Sequence, residues 1–181
     1  QEWYYPSRSD CNSCHTKTAG FVLGLNTRQL NRDHSYGKED ANQLAVLSKL
    51  GVFDSKIGKP ADHPAYPDWE AKGGDAGALA RAYLDVNCSV CHAPGGTGVA
   101  KADLRFNTPL DNAGILNAEP VQKRFTVEGS RVILPGQPKK SELLLRMMLE
   151  GDGRMPTIAS SKVDEKAVKI IKRWIRKLPA K

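Results

Sequence analysis

What this chain lacks narrows the reading first. No stretch of its 181 residues approaches the run of about 18 apolar positions that a membrane-crossing helix needs, so no helical span is expected. The N-terminal QEWYYPSRSD has no basic-then-apolar leader, as expected of a mature secreted protein or of a domain cut from a longer one. Lys and Arg outnumber Asp and Glu by 27 to 20, but the excess is scattered except in the closing KIIKRWIRKLPAK. A nucleic-acid binder would show a basic stripe and a recognisable reading module, and neither is present. No strand–helix alternation supports a thioredoxin-like site. There is also no Met before Met147 and no cysteine beyond four.

Those four cysteines fall as two pairs with identical spacing, Cys11-Asn12-Ser13-Cys14-His15 and Cys88-Ser89-Val90-Cys91-His92. A zinc ribbon joins two C-x-x-C pairs across about 15–20 residues, whereas Cys14 and Cys88 lie 74 positions apart. Two disulfides would give no reason for a His to follow each pair. C-x-x-C-H is the attachment signature of c-type haem. Two thiols meet the two vinyl groups on one porphyrin edge, and the next residue sets an imidazole beneath the iron. The expected cofactors are therefore two covalently attached haem c groups, held by Cys11 and Cys14 with His15, and by Cys88 and Cys91 with His92. All four thiols are used, so none remains for a disulfide.

The second motif has clear surroundings. Asp75 to Asn87 reads as a capped helix with Leu79, Tyr83 and Val86 on one stripe, and it delivers Cys88. Ala93-Pro94-Gly95-Gly96 reads as a turn, with a backbone carbonyl near Pro94 expected to accept the free ring N–H of His92. Met155 stands in the Gly- and Pro-rich GDGRMP loop, a poor place for core filler, and is the expected sixth ligand. Val163 to Leu178 is amphipathic, with Ala167, Ile170, Ile171, Trp174, Ile175 and Leu178 on one face. Ser161 and Asp164 form its approximate capping box, and its apolar face should cross the helix carrying Cys88. Arg105 and Arg146 are candidates to pair with haem propionates.

The pieces YLDVNCSVCHAPGG, PGQPKKSELLLRM, GDGRMP and VDEKAVKIIKRWI resemble the c-type cytochrome domains of secreted bacterial oxidoreductases and of multidomain proteins of carbohydrate metabolism. The order of parts over residues 74–181 resembles a class I cytochrome c. WYYPSRSDCNSCHT with the segments after it resembles the N-terminal extension of some bacterial diheme c-type cytochromes. The resemblance implies an all-α fold, a class I cytochrome c-like domain at 74–181 with long loops, preceded by a small helical haem-binding segment with linker at 1–73. Within the latter, Asp40 to Leu50 reads as a helix with Leu44, Leu47 and Leu50 inward and Gly51 as its stop. Leu25 to Arg32 reads as a helical turn or two, and 52–73 as a linker wrapped over the surface.

The first haem has no local Met loop. For its distal ligand His34 is the first choice, ahead of His63 and of Met147 or Met148, with an open iron as a further option. Trp3, Tyr4 and Tyr5 are available either to pack on that haem or to anchor the N-terminus. Filled axial positions at the second haem favour electron transfer over catalysis, so the expectation is a diheme electron carrier and not an enzyme. A small peroxidase-like protein with an open first haem is the alternative. The resemblance places the chain in the bacterial periplasm or outside the cell, as a monomer or a domain of a larger protein. Its expected partners are redox proteins, acidic or copper-containing.

Overall fold

The computed structural model describes residues 4–71, 73–122 and 124–179; Trp3 lies outside the described residues. In chain order they form α1 (Arg8–Asn12), α2 (Thr27–Leu30), β1 (Asp33–Ser35), β2 (Asp40–Asn42), α3 (Gln43–Lys49), α4 (Ala76–Cys88), α5 (Glu142–Met147) and α6 (Glu165–Lys177). Short 3-10 turns lie at Pro60–Asp62, Leu110–Asn112 and Pro138–Lys140. Among the described residues no helix is long and apolar enough to cross a membrane. The chain divides into two units, one of Gln1–Leu23 with Asp75–Lys181 and one of Gly24–Gly74.

Two expectations change here. The fold is mixed and not all-α, because β1 and β2 pair as an antiparallel sheet with His34 opposite Ala41. Strands of three residues, with Ala41 the one apolar side chain among them, are too short to carry an alternation that a sequence pattern can register. Their turn is closed by the Tyr36 amide donating to the Glu39 carbonyl at 3.0 Å. The division also differs from 1–73 and 74–181. The cut near residue 74 is present, but residues 1–23 belong with the C-terminal unit, because hydrogen bonds tie the first cysteine motif to the second.

In the larger unit α4 packs on α6. Asp75 caps α4 by accepting from the amides of Gly77 and Ala78 at 3.1 and 3.0 Å. Asp164 itself caps α6, accepting from the Ala167 amide at 2.9 Å, so the expected Ser161 box is replaced by a cap three residues later. The buried face of α6 is Ala167, Ile170, Ile171, Trp174 and Ile175, as its periodicity requires. On α4 the buried apolar set is Ala76, Leu79, Ala80, Ala82 and Leu84, with Tyr83 and Val86 half-buried. The helices meet closely at Gly77, where a Cβ would lie 3.5 Å from the Trp174 ring. Leu104, Ile115, Ile133 and Leu144 complete this core. Each fully buried side chain of this kind contributes about 1.5–3 kcal/mol.

Asparagine side chains organise the smaller unit. Asn26 and Asn42 cap α2 and α3, each satisfying an amide that the helix start leaves unpaired. Asn31 Nδ2 donates to the carbonyls of Pro60 and His63 at 2.9 and 2.8 Å, and the Tyr66 amide donates to the Arg28 carbonyl. Part of 52–73 is thus pinned onto α2 and is not a simple linker. Helix α3 ends as expected at Gly51, which at φ 70° lets Val52 and Gly51 donate back to Leu47 and Ser48. Leu44 is buried, but Leu50 is 71% exposed because it is the helix cap and not part of the inward face.

Candidate functional site

Both C-x-x-C-H segments take the same backbone turn. The carbonyl of Cys11 accepts from Cys14 and His15 at 3.2 and 2.9 Å, and that of Cys88 accepts from Cys91 and His92 at 3.1 and 2.8 Å. Helix α1 enters the first turn through the Ser7/Asp10 capping box, and α4 enters the second through its C-terminus at Cys88. All four cysteines are free thiols. Burial pushes the Cys88 thiol up to about 12, with the neighbouring Cys91 adding to the shift. Cys14 is raised for the same two reasons in the same order.

The two histidines are held differently. His15 Nδ1 lies 2.6 Å from the Phe21 carbonyl; a carbonyl only accepts, so Nδ1 carries the proton and Nε2 keeps its lone pair for a metal. The returning loop is tight, with the Phe21 amide on the Thr16 carbonyl at 2.9 Å and Phe21 at φ 62°. Phe21 and Val22 are 60% and 72% exposed, leaving apolar surface on the loop that holds His15. His92 is half-buried, and its Nδ1 is buried without a hydrogen-bond partner. The acceptor expected near Pro94 is therefore not in place. The residue six positions on, Gly98, approaches the ring so closely that a Cβ there would lie 2.6 Å from Nδ1. Burial lowers the His92 pKa, and the charge of Arg146 lowers it further, so the imidazole is held neutral, as ligation requires.

Arg146 connects the Met loop to this histidine. Its carbonyl accepts from the Met155 amide at 3.1 Å, its Nε donates to the Gly153 carbonyl at 2.8 Å, and its charge acts on His92. The Met155 side chain is half-buried, and its bond to Pro156 is cis. Met147 is half-buried and Met148 is 49% exposed. Arg105 is engaged by Asp103 through Nε and Nη2 at 2.9 and 2.7 Å, which occupies the planar fork proposed for a propionate. Tyr4 and Tyr5 are 67% and 81% exposed, and Tyr4 donates to Asp10 at 2.7 Å.

His34 and His63 both lie in the smaller unit. The His34 ring is exposed on β1 and meets Tyr36 edge-on at 4.9 Å. His63 Nε2 is paired with the Ile57 carbonyl, so Nε2 carries the proton and the lone pair is on Nδ1.

The two motifs touch each other. Cys14 Sγ lies 3.8 Å from Cys91 Sγ, and Cys91 Sγ lies 3.6 Å from the Ser13 carbonyl. Thr97 Oγ1 donates to that same carbonyl at 2.6 Å, and Thr18 Oγ1 donates to the Gly95 carbonyl at 2.8 Å. Sequence reasoning missed Phe21, Gly98, Ser13, Thr18 and Thr97: Phe21 and Ser13 act through backbone carbonyls and Gly98 through a missing Cβ, while the hydroxyls of Thr18 and Thr97 reach across segments that no local spacing relates. Among the described residues no three His, Cys, Asp or Glu side chains gather as a metal-ion cluster, which is the arrangement a four-thiolate zinc site would require. Free thiols in matching turns, an oriented His15 and a neutral, half-buried His92 fit haem c at both motifs. Comparison with protein-family models, curated proteins and solved structures returns no match.

Proposed function

We propose that the chain is a diheme c-type cytochrome that carries single electrons between redox proteins in the bacterial periplasm or outside the cell. The observation that supports this most is the repetition of one turn: in both motifs the first Cys carbonyl accepts from the second Cys and from the His. Two thiols and an imidazole are thereby set on one short segment, twice. When bound, haem c supplies a one-electron iron couple whose potential is set by its axial ligands.

The chain's residues have separable roles. Cys11, Cys14, Cys88 and Cys91 tether; His15 and His92 provide the proximal nitrogens. The Phe21 carbonyl fixes the His15 tautomer, as second-shell acceptors do. Met155, its backbone fixed by Arg146, would offer the second site a thioether, which would raise its potential above that of a two-nitrogen site. Lys169, Arg173, Arg176 and Lys177 are exposed on α6 and suit an acidic partner.

The test is a reductive titration of the matured protein. A carrier takes up two electrons per chain in one-electron steps and does not turn over peroxide. Peroxide turnover at a carbon-monoxide-binding haem would replace the carrier with the enzyme reading.

A further inference from the structure

Two attachment sites on one chain need not communicate. Here the second cysteine of one motif lies against the second cysteine of the other, 3.8 Å between sulfurs. That is contact without a bond, since a disulfide holds its sulfurs at about 2.05 Å. The contact is braced on both sides. Ser13, between the cysteines of the first motif, receives Thr97 Oγ1 from the loop after the second at 2.6 Å. Thr18, in the loop after the first motif, donates to Gly95, in the loop after the second, at 2.8 Å. Each motif thus donates one side-chain hydrogen bond to the other's backbone, which locks their register.

Resting on the diheme reading, we infer that Cys14 and Cys91 attach the two haems at a shared edge, making them one electronically coupled pair. The thioether sulfurs are part of each haem's periphery, so an electron arriving at either group passes to the other without leaving the protein. The two irons also sense each other's charge. Reduction of one adds an electron close to the other within a partly buried, low-dielectric region, and the second reduction becomes harder. The expected penalty is about tenfold in the equilibrium constant, or about 59 mV for a one-electron couple.

The test uses the matured wild-type protein and needs no variant to begin. Haem is counted by pyridine haemochrome, and circular dichroism is recorded across the Soret band, where two haems in contact give a signal split into opposite lobes. The midpoint of the second haem is then compared between wild type and C11A/C14A, and the Soret signal between wild type and Thr97→Val, which keeps all attachment residues but removes one brace. Two haems with a split signal that weakens in Thr97→Val, and a second-haem midpoint that moves in C11A/C14A, support the pair. Two haems with an unsplit signal overturn it while the carrier reading stands. A count other than two overturns the diheme reading itself.

Discussion

His15 and His92 occupy the same place in the same turn but differ in what surrounds them. One is exposed and oriented by a carbonyl; the other is half-buried and pressed by Gly98. A residue that cannot move aside for a side chain is a sensitive place to probe. Gly98→Ala should displace the His92 ring and shift the spectrum and potential of the second haem, while the first haem is unchanged. Met155→Ala should keep that haem attached but lose its low-spin signature and lower its potential; an unaltered spectrum would remove Met155 from the iron. Carbon monoxide tests the first iron, since a six-coordinate site should not take up the gas; tight binding by the wild-type protein would show an open iron and favour the enzyme reading. Tyr83 carries a pH effect of its own. Burial, then the charges of Asp164 and Cys88, push its phenol from 10.0 up to about 12. The folded state therefore holds a proton that the unfolded state releases, and stability should fall as pH rises from about 10 to about 12. Denaturant midpoints across that range check the fall, and Tyr83→Phe should flatten it.

At the scale of elements, α4 and α6 were legible because apolar periodicity and capping residues agree over thirteen positions each. Their crossing makes a contrasting prediction. Gly77→Ala meets only ordinary van der Waals distances at Trp174 and should be neutral or stabilising by about 0.5 kcal/mol, whereas Trp174→Ala should cost about 3–5 kcal/mol. Thermal unfolding of both variants decides whether the close approach is needed or merely tolerated. The short elements were legible only in part. Leu44 and Gly51 behave as the pattern of α3 requires. The helix expected from Asp40 instead begins at Gln43, because Asp40 to Asn42 are taken up by β2 and the Asn42 side chain caps α3. Nothing in DHSYGKEDAN marks a hairpin by hydrophobic alternation, since Ala41 is the one apolar side chain in the two strands, which are partly or wholly exposed. The stretch 52–73 read as a linker for a related reason: the interactions that hold it are Asn31 donating to backbone carbonyls, and an acceptor common to every residue leaves no trace in composition.

For the whole molecule, the motifs were readable as residues and not as neighbours. Cysteine spacing pointed to two attachment sites, but Cys14 and Cys91 are separated by 76 intervening residues, and no local rule brings them together. That contact is why 1–23 belongs with 75–181. The exposed cations of α6 act at this scale also. If they guide an acidic redox partner, the bimolecular transfer rate should fall as salt is added, because exposed charges are screened beyond about 8–10 Å at physiological ionic strength; a rate indifferent to salt would leave them a role in solubility alone. The most direct test of the account counts cofactors. Pyridine haemochrome analysis should give two covalent haems per wild-type chain, one in C11A/C14A and one in C88A/C91A. A wild-type chain with no covalent haem, matured where c-type haem is attached, would contradict it.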